Sequence, residues 1–201
     1  MNPRAHWDKI YTTQSDAQVS WTEPEPRASL SLIRQVCPQG RIIDVGGGTS
    51  ALVDRLLDAG YSVAVLDISA AALDRAKARL GPRADNIRWI IADVTVQLDV
   101  GTYDLWHDRA VFHFLTEPAD RIAYVALLKR SIPVGGHVVM ATFALDGPAK
   151  CSGLPVQRYD SHSLGLELGA AFELLQSVPE THLTPQGKRQ SFQYSVFRRL
   201  R

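Results

Sequence analysis

The chain has 201 residues, enough for one compact domain with its own core. Hydrophobic residues make up 45% and charged residues 21%, and 22 Lys plus Arg stand against 21 Asp plus Glu. That balance argues against disorder and gives no support for a nucleic-acid-binding or membrane-surface protein. Two cysteines, Cys37 and Cys151, are too few for a disulfide framework or a cysteine-only zinc site, so no metal is expected. No apolar run reaches the roughly 18 residues of a membrane span, and the first residues lack an apolar signal core. These features lead to the expectation of a cytoplasmic, single-domain protein.

Residues 1–26 read as an irregular arm that carries Trp7, Tyr11 and Trp21 and ends in Glu23-Pro24-Glu25-Pro26. Residues 27–36 suit a short helix closed by Pro38 and Gly40. From there strands and helices alternate. A strand at 42–45 runs into Gly46-Gly47-Gly48. A helix follows, capped by Thr49 or Ser50, with Leu52, Val53, Leu56 and Leu57 on its apolar face and Gly60 as its stop. A second strand covers 62–67, and Ser69 caps a helix with Ala72, Leu73, Ala76 and Leu80 inward. Further strands are expected at 87–91, 103–107 and 137–143, with a helix at 117–131 that has Pro118 in its first turn. This alternation predicts right-handed βαβ units and a parallel sheet. The tail differs. Residues 172–176 and 192–197 read as strands without a helix between them, joined near Pro185-Gln186-Gly187, and are expected to form an antiparallel hairpin.

The stretch Asp44-Val45-Gly46-Gly47-Gly48-Thr49-Ser50-Ala51 joins a strand to a helix. Glycines there let the backbone approach a ligand, and a helix N-terminus offers free N–H groups. Asp67 ends the next strand, where a carboxylate can accept hydrogen bonds from ribose hydroxyls. The glycine spacing also fits a dinucleotide fingerprint, and it fits a tight turn with no ligand at all. Asp44 and Asp93 add two more acids at the same sheet edge. Three carboxylates repel a pyrophosphate and attract a cation, which favours a donor carrying a sulfonium and an ammonium.

With IIDVGGGTS, VAVLDIS, IIADV and IPVGGHVVM in this order, the chain resembles the class I S-adenosylmethionine-dependent methyltransferases over about residues 40–200. The resemblance implies an α/β Rossmann-like three-layer sandwich. Its sheet has seven mostly parallel strands, order 3-2-1-4-5-7-6, with the hairpin at the C-terminus. It implies S-adenosyl-L-methionine as donor and S-adenosyl-L-homocysteine as product. Gly46, Gly47 and Gly48 with Asp44 would hold the methionine part, Asp67 the ribose and Asp93 the adenine amine, with Ile68 and Val94 about the ring. It also makes residues 27–201 a single methyltransferase domain and residues 1–26 an arm or lid, whose Trp7 and Trp21 close over the donor. The other reading of those aromatics is plain core packing.

The acceptor is expected beyond strand four, where His107-Asp108-Arg109-Ala110-Val111-Phe112-His113-Phe114 mixes titratable and aromatic residues. This corner resembles that of the thiopurine and thiol methyltransferases, and lysine methyltransferases share part of it, so it narrows the branch without naming the acceptor; the main expectation is a small-molecule acceptor with a thiol or other soft nucleophile. Asp108, at the donor and closest to its methyl, and His107 and His113 are the candidate proton acceptors; Arg109, Cys151, Arg158 and Tyr159 are the candidate acceptor-binding residues. The alternative for Asp108 and Arg109 is a local pair at a strand-to-helix corner. By two-residue alternation His107 and Arg109 share one face and Asp108 takes the other. Competing functions are a protein-lysine methyltransferase, an NAD-dependent oxidoreductase and a non-catalytic binding module.

Overall fold

The computed structural model describes residues 2–201. Helix α1 (Pro3–Thr13) starts where Asn2 accepts the Ala5 N–H and Pro3 takes the first turn. Helix α2 (Arg27–Val36) leads into strand β1 (Arg41–Val45), helix α3 (Leu52–Asp58), strand β2 (Ser62–Asp67) and helix α4 (Ala70–Leu80). Strands β3 (Ile87–Ile91) and β4 (Leu105–Arg109), helix α5 (Pro118–Ser131) and strand β5 (His137–Phe143) follow. A two-stranded ribbon, β6 (Lys150–Cys151) with β7 (Leu154–Pro155), and helix α6 (Ser161–Leu168) precede the long pair β8 (Phe172–Leu183) and β9 (Arg189–Arg199). The main sheet runs β3-β2-β1-β4-β5-β9-β8. This is the expected order, with the small ribbon taking two of the numbers. β1 to β5 are mutually parallel, and β9 is antiparallel to both β5 and β8.

Alternation along each strand divides the core in two. Ile42, Val65, Leu105 and Val139 face α2, α3 and α4, with Ile33 and Leu56 packed on them. Ile43, Leu66, Trp106 and Met140 face α5 and α6, with Leu127, Leu128 and Leu164 on that side. These are the three expected layers.

Four local expectations are corrected. The arm is not irregular: residues 3–13 are helical, because Trp7, Ile10 and Tyr11 share a face behind a polar cap. Strand four starts two residues later than expected, since the Asp104 carboxylate first takes the Arg41 N–H (2.7 Å). The strand therefore continues through Arg109, and the alternation of His107, Asp108 and Arg109 holds. Helix α3 begins at Leu52 after Ala51, with the Ser50 hydroxyl accepting the Leu52 N–H (3.1 Å). The tail strands run beyond 172–176 and 192–197, to Leu183 and from Arg189, the first extended through the intervening segment to the turn at Pro185-Gln186-Gly187. Pro179 is tolerated because β8 is the sheet edge.

Candidate active site

The loop after β1 is shaped by glycines where no side chain fits. Gly46 has φ +66°, and a Cβ there would stand 2.0 Å from Val111 Cγ2. Gly48 has φ +48°, and its Cβ would meet the Tyr11 hydroxyl at 2.6 Å. The turn thus lies between the β4 corner and the N-terminal helix, which closes over it.

Two cavities open at this sheet edge. The larger, about 240 Å³, is bounded by Asp67, Ile68, Asp93 and Val94 on one side and by Arg109, Phe114, Cys151 and Leu154 on the other. The smaller, about 230 Å³, is bounded by Asp44, Gly46, Gly47 and Ser50 with Glu23, Ser29 and His107. Tyr11, Trp21, Gly46 and Arg109 line both, so the two cavities meet there.

In the larger cavity Asp67 is 6% exposed. Burial pushes its carboxyl up to about 6, and the Ser69 and Gly48 N–H groups pull the other way; Ser69 N–H donates at 2.8 Å. Asp93 accepts from the Thr95 N–H and hydroxyl at 2.8 and 2.6 Å, which fixes its direction. In the smaller cavity Asp44 Oδ1 meets His107 Nδ1 at 2.7 Å, while its buried Oδ2 has no hydrogen-bond partner among the described residues.

The arm is fastened over both cavities. Asp8 accepts from Ser69 Oγ (2.6 Å), and Arg75 donates to Tyr11 O (3.0 Å), Gln14 O (2.8 Å) and Asp16 (2.6 Å). Trp7 lies edge-on to Trp21 and Phe114, with centroids 5.6 and 5.1 Å apart, and forms an aromatic wall of the larger cavity. Arg109 enters from β4. It donates to Trp21 O (3.0 Å), pairs with Glu23 (3.3 Å) and lies over the Phe192 ring; its buried Nη2 makes no hydrogen bond among the described residues. Burial opposes ionisation of Glu23, but His182 and Arg109 hold its carboxyl below the usual range.

The structure therefore gathers Asp44, Gly46, Gly47, Asp67, Ile68, Asp93, Val94, Trp7, Trp21, Arg109 and Cys151 around the joined cavities, with Gly48 beneath Tyr11. It places four candidates elsewhere. Asp108 is fully buried on the α5 side, where it accepts from Tyr124 and from the Val111 (2.8 Å) and Phe112 (3.1 Å) N–H groups; burial raises it to about 6. It lines neither cavity, because the alternation that aims Arg109 at the cleft turns Asp108 into the core. His113 is also fully buried; its Nδ1 accepts the Phe143 N–H, and burial with nearby Arg109 lowers it to about 3. It is neutral and sits behind Phe114. Tyr159 packs on Phe112 inside the core, and Arg158 donates to Gly147 O (3.1 Å), both away from the cavities. His107 does face the smaller cavity, but both its nitrogens are engaged.

Sequence reasoning missed Tyr11 and Glu23 as cavity residues. Tyr11 follows Trp7 at helical spacing, so recognising α1 would have found it. No sequence pattern marks Glu23. Cys151 lines the larger cavity through the β6–β7 ribbon; burial pushes its thiol up to about 11.

The sheet order and the acid-ringed glycine turn agree with the resemblance read from the sequence. Residues 43–138 match the family described as methyltransferase domain. Among curated relatives, malonyl-[acyl-carrier protein] O-methyltransferase of Anoxybacillus flavithermus is 32% identical over 112 residues, covering 55% of this chain and 41% of that one. The chain spans less than half the length of the curated relatives it matches. Among solved structures, one comes from a study of the conversion of a disulfide bond into a thioacetal group during echinomycin biosynthesis. It superposes with TM-score 0.80 at 19% identity, covering 98% of this chain and 93% of that one. N-methyltransferase NodS of Bradyrhizobium japonicum, solved with S-adenosyl-L-homocysteine, gives TM-score 0.75 at 16% identity, covering 99% of both. Among the described residues no helix is long and apolar enough to cross a membrane, and no cluster of metal-ligating side chains occurs.

Proposed function

We propose that this protein transfers a methyl group from S-adenosyl-L-methionine to a small-molecule acceptor whose nucleophile is a thiol or another soft atom. The residues fit the donor. The unpartnered buried Asp44 Oδ2 suits an ammonium, Asp67 suits ribose hydroxyls and Asp93 the adenine amine, with Ile68 and Val94 beside the ring. Bound there, the donor supplies a methyl on a positively charged sulfur, which needs no enzyme nucleophile. The chain's task is to hold the acceptor in line and exclude water. The Trp7–Trp21–Phe114 wall and helix α1 do both, and the arm serves as a lid.

One observation carries the acceptor reading: Arg109 stands where the cavities meet, and its buried Nη2 makes no hydrogen bond among the described residues. Among the described residues no histidine lines the larger cavity, and Arg109 is its one cation. With Asp67, Asp93 and Asp120 lining the same cavity, an acceptor that arrives as its own anion is favoured only beside Arg109 and the donor's positive sulfur, and a thiol with an ordinary pKa of about 8.5 does so near neutrality. The likeness to the structure from the disulfide-to-thioacetal study agrees with sulfur; the likeness to NodS makes an amine the main rival. The test is labelled donor incubated with a panel of small thiols, amines, hydroxyls and a lysine-containing peptide library. Label in thiols, reduced by Arg109→Leu mainly through the acceptor KM, supports the reading. Label in amines or peptide alone would refute the soft-acceptor part, and no transfer to any acceptor would refute the activity.

A further inference from the structure

We propose that His107 is a positioning residue for the amino-acid end of the donor, acting through Asp44; the inference rests on the donor site proposed above. The register of β1 with β4 sets Asp44 directly beside His107, and both side chains are 3% exposed. Four residues from four elements form one hydrogen-bonded line. His107 Nδ1 meets Asp44 Oδ1 at 2.7 Å, and Nε2 meets Ser29 Oγ of α2 at 2.9 Å. Ser29 Oγ then meets the Tyr194 hydroxyl of β9 at 3.2 Å.

An ionised carboxylate only accepts, so Nδ1 carries the proton. With a neutral ring, Nε2 accepts from Ser29 and Ser29 accepts from Tyr194; this assignment follows from the partners. Every polar atom of the line is then satisfied except Asp44 Oδ2. That oxygen is buried at the smaller cavity, and a buried anionic oxygen without a donor is costly. His107 thus spends Oδ1, fixes the carboxylate plane and leaves Oδ2 for a cation.

The test compares two nucleosides by calorimetry: S-adenosylhomocysteine, and 5′-methylthioadenosine, which lacks the amino-acid end. His107→Leu should weaken S-adenosylhomocysteine about tenfold or more and shift 5′-methylthioadenosine by less than about twofold. His107→Asn should restore most of the loss, because its amide N–H stands near the place of Nδ1–H. Ser29→Ala should give an intermediate loss, about threefold, for the amino-acid ligand alone. Equal loss of both ligands, unchanged binding in His107→Leu, or failure of Asn to rescue would each overturn the proposal. If the Leu variant does not fold, a folded Ser29→Ala protein with an unchanged ratio of the two affinities would overturn it. Wild-type protein that binds neither nucleoside would overturn the donor site as well.

Discussion

Asp67 offers a titration that reads the donor site directly. Burial holds its carboxyl near 6, above the ordinary 3.8, so it is mostly ionised at pH 7 and mostly protonated at pH 5. A ribose hydroxyl donates to the ionised form. Lowering the pH from 7 to 5 takes the ionised fraction from about nine-tenths to about one-tenth, so the affinity for S-adenosylhomocysteine should fall about tenfold, with most of the change below pH 6. Asp67→Asn removes the titration; it should also weaken binding by about 1.5–3 kcal/mol through loss of charge-assisted hydrogen bonds. Calorimetry at several pH values between 5 and 8 measures both. His107, Glu23 and His182 remain in wild type and variant alike, so the difference between the two profiles isolates Asp67. A flat wild-type profile, or the same slope in the Asn variant, would refute the ribose role.

Three further outcomes are expected. Gly46→Ala should cost about 2–5 kcal/mol in urea unfolding, from the positive φ and the clash with Val111; in a Val111→Ala background only the backbone part, about 1–2 kcal/mol, should remain. Tyr124→Phe removes a donor from Asp108 and the acceptor of Trp106 Nε1 (2.8 Å), and should destabilise by about 3 kcal/mol with donor affinity of the folded protein unchanged. The sign of its pH dependence follows from the raised Asp108 pKa. The stability tied to that proton is fully present below about 4 and is lost as pH rises through about 6, so the variant's deficit should be larger at pH 7 than at pH 5. Asp8→Ala combined with Arg75→Ala loosens the arm; donor affinity should drop about three- to tenfold and tryptophan emission shift to the red, with the midpoint of global unfolding little changed.

The sheet was legible because its determinants are local. Apolar runs such as 42–45 and 62–67 end in acids and turns, and the alternation of strand and helix leaves few topologies. The residues of the proposed donor side could be placed for the same reason: Gly46, Asp67 and Asp93 each lie at or just past the end of a strand whose neighbours the pattern names. The acceptor side was not legible. Alternation puts His107 and Arg109 opposite Asp108, but nothing in the pattern says which face meets the cleft; that depends on α2 and the arm covering one side and α5 the other. Helix α6 was missed because its start, Asp160 with Ser163 in a reciprocal capping box, uses serine where glutamate or glutamine is the usual signal. Arg158 and Tyr159 were drawn to the cleft by their chemistry, and only the packing of Tyr159 on Phe112 shows them turned away.

The thiol in the cavity wall has a consequence for the chain's own safety. A pocket that handles an alkylating sulfonium exposes every nearby sulfur to self-methylation. An ordinary cysteine is ionised in about one molecule in thirty at pH 7. Cys151, raised to about 11, is ionised in about one in ten thousand. The apolar surroundings that suppress its charge would leave it inert toward the proposed methyl donor, whereas the thiol acceptor proposed above would arrive with its charge already formed.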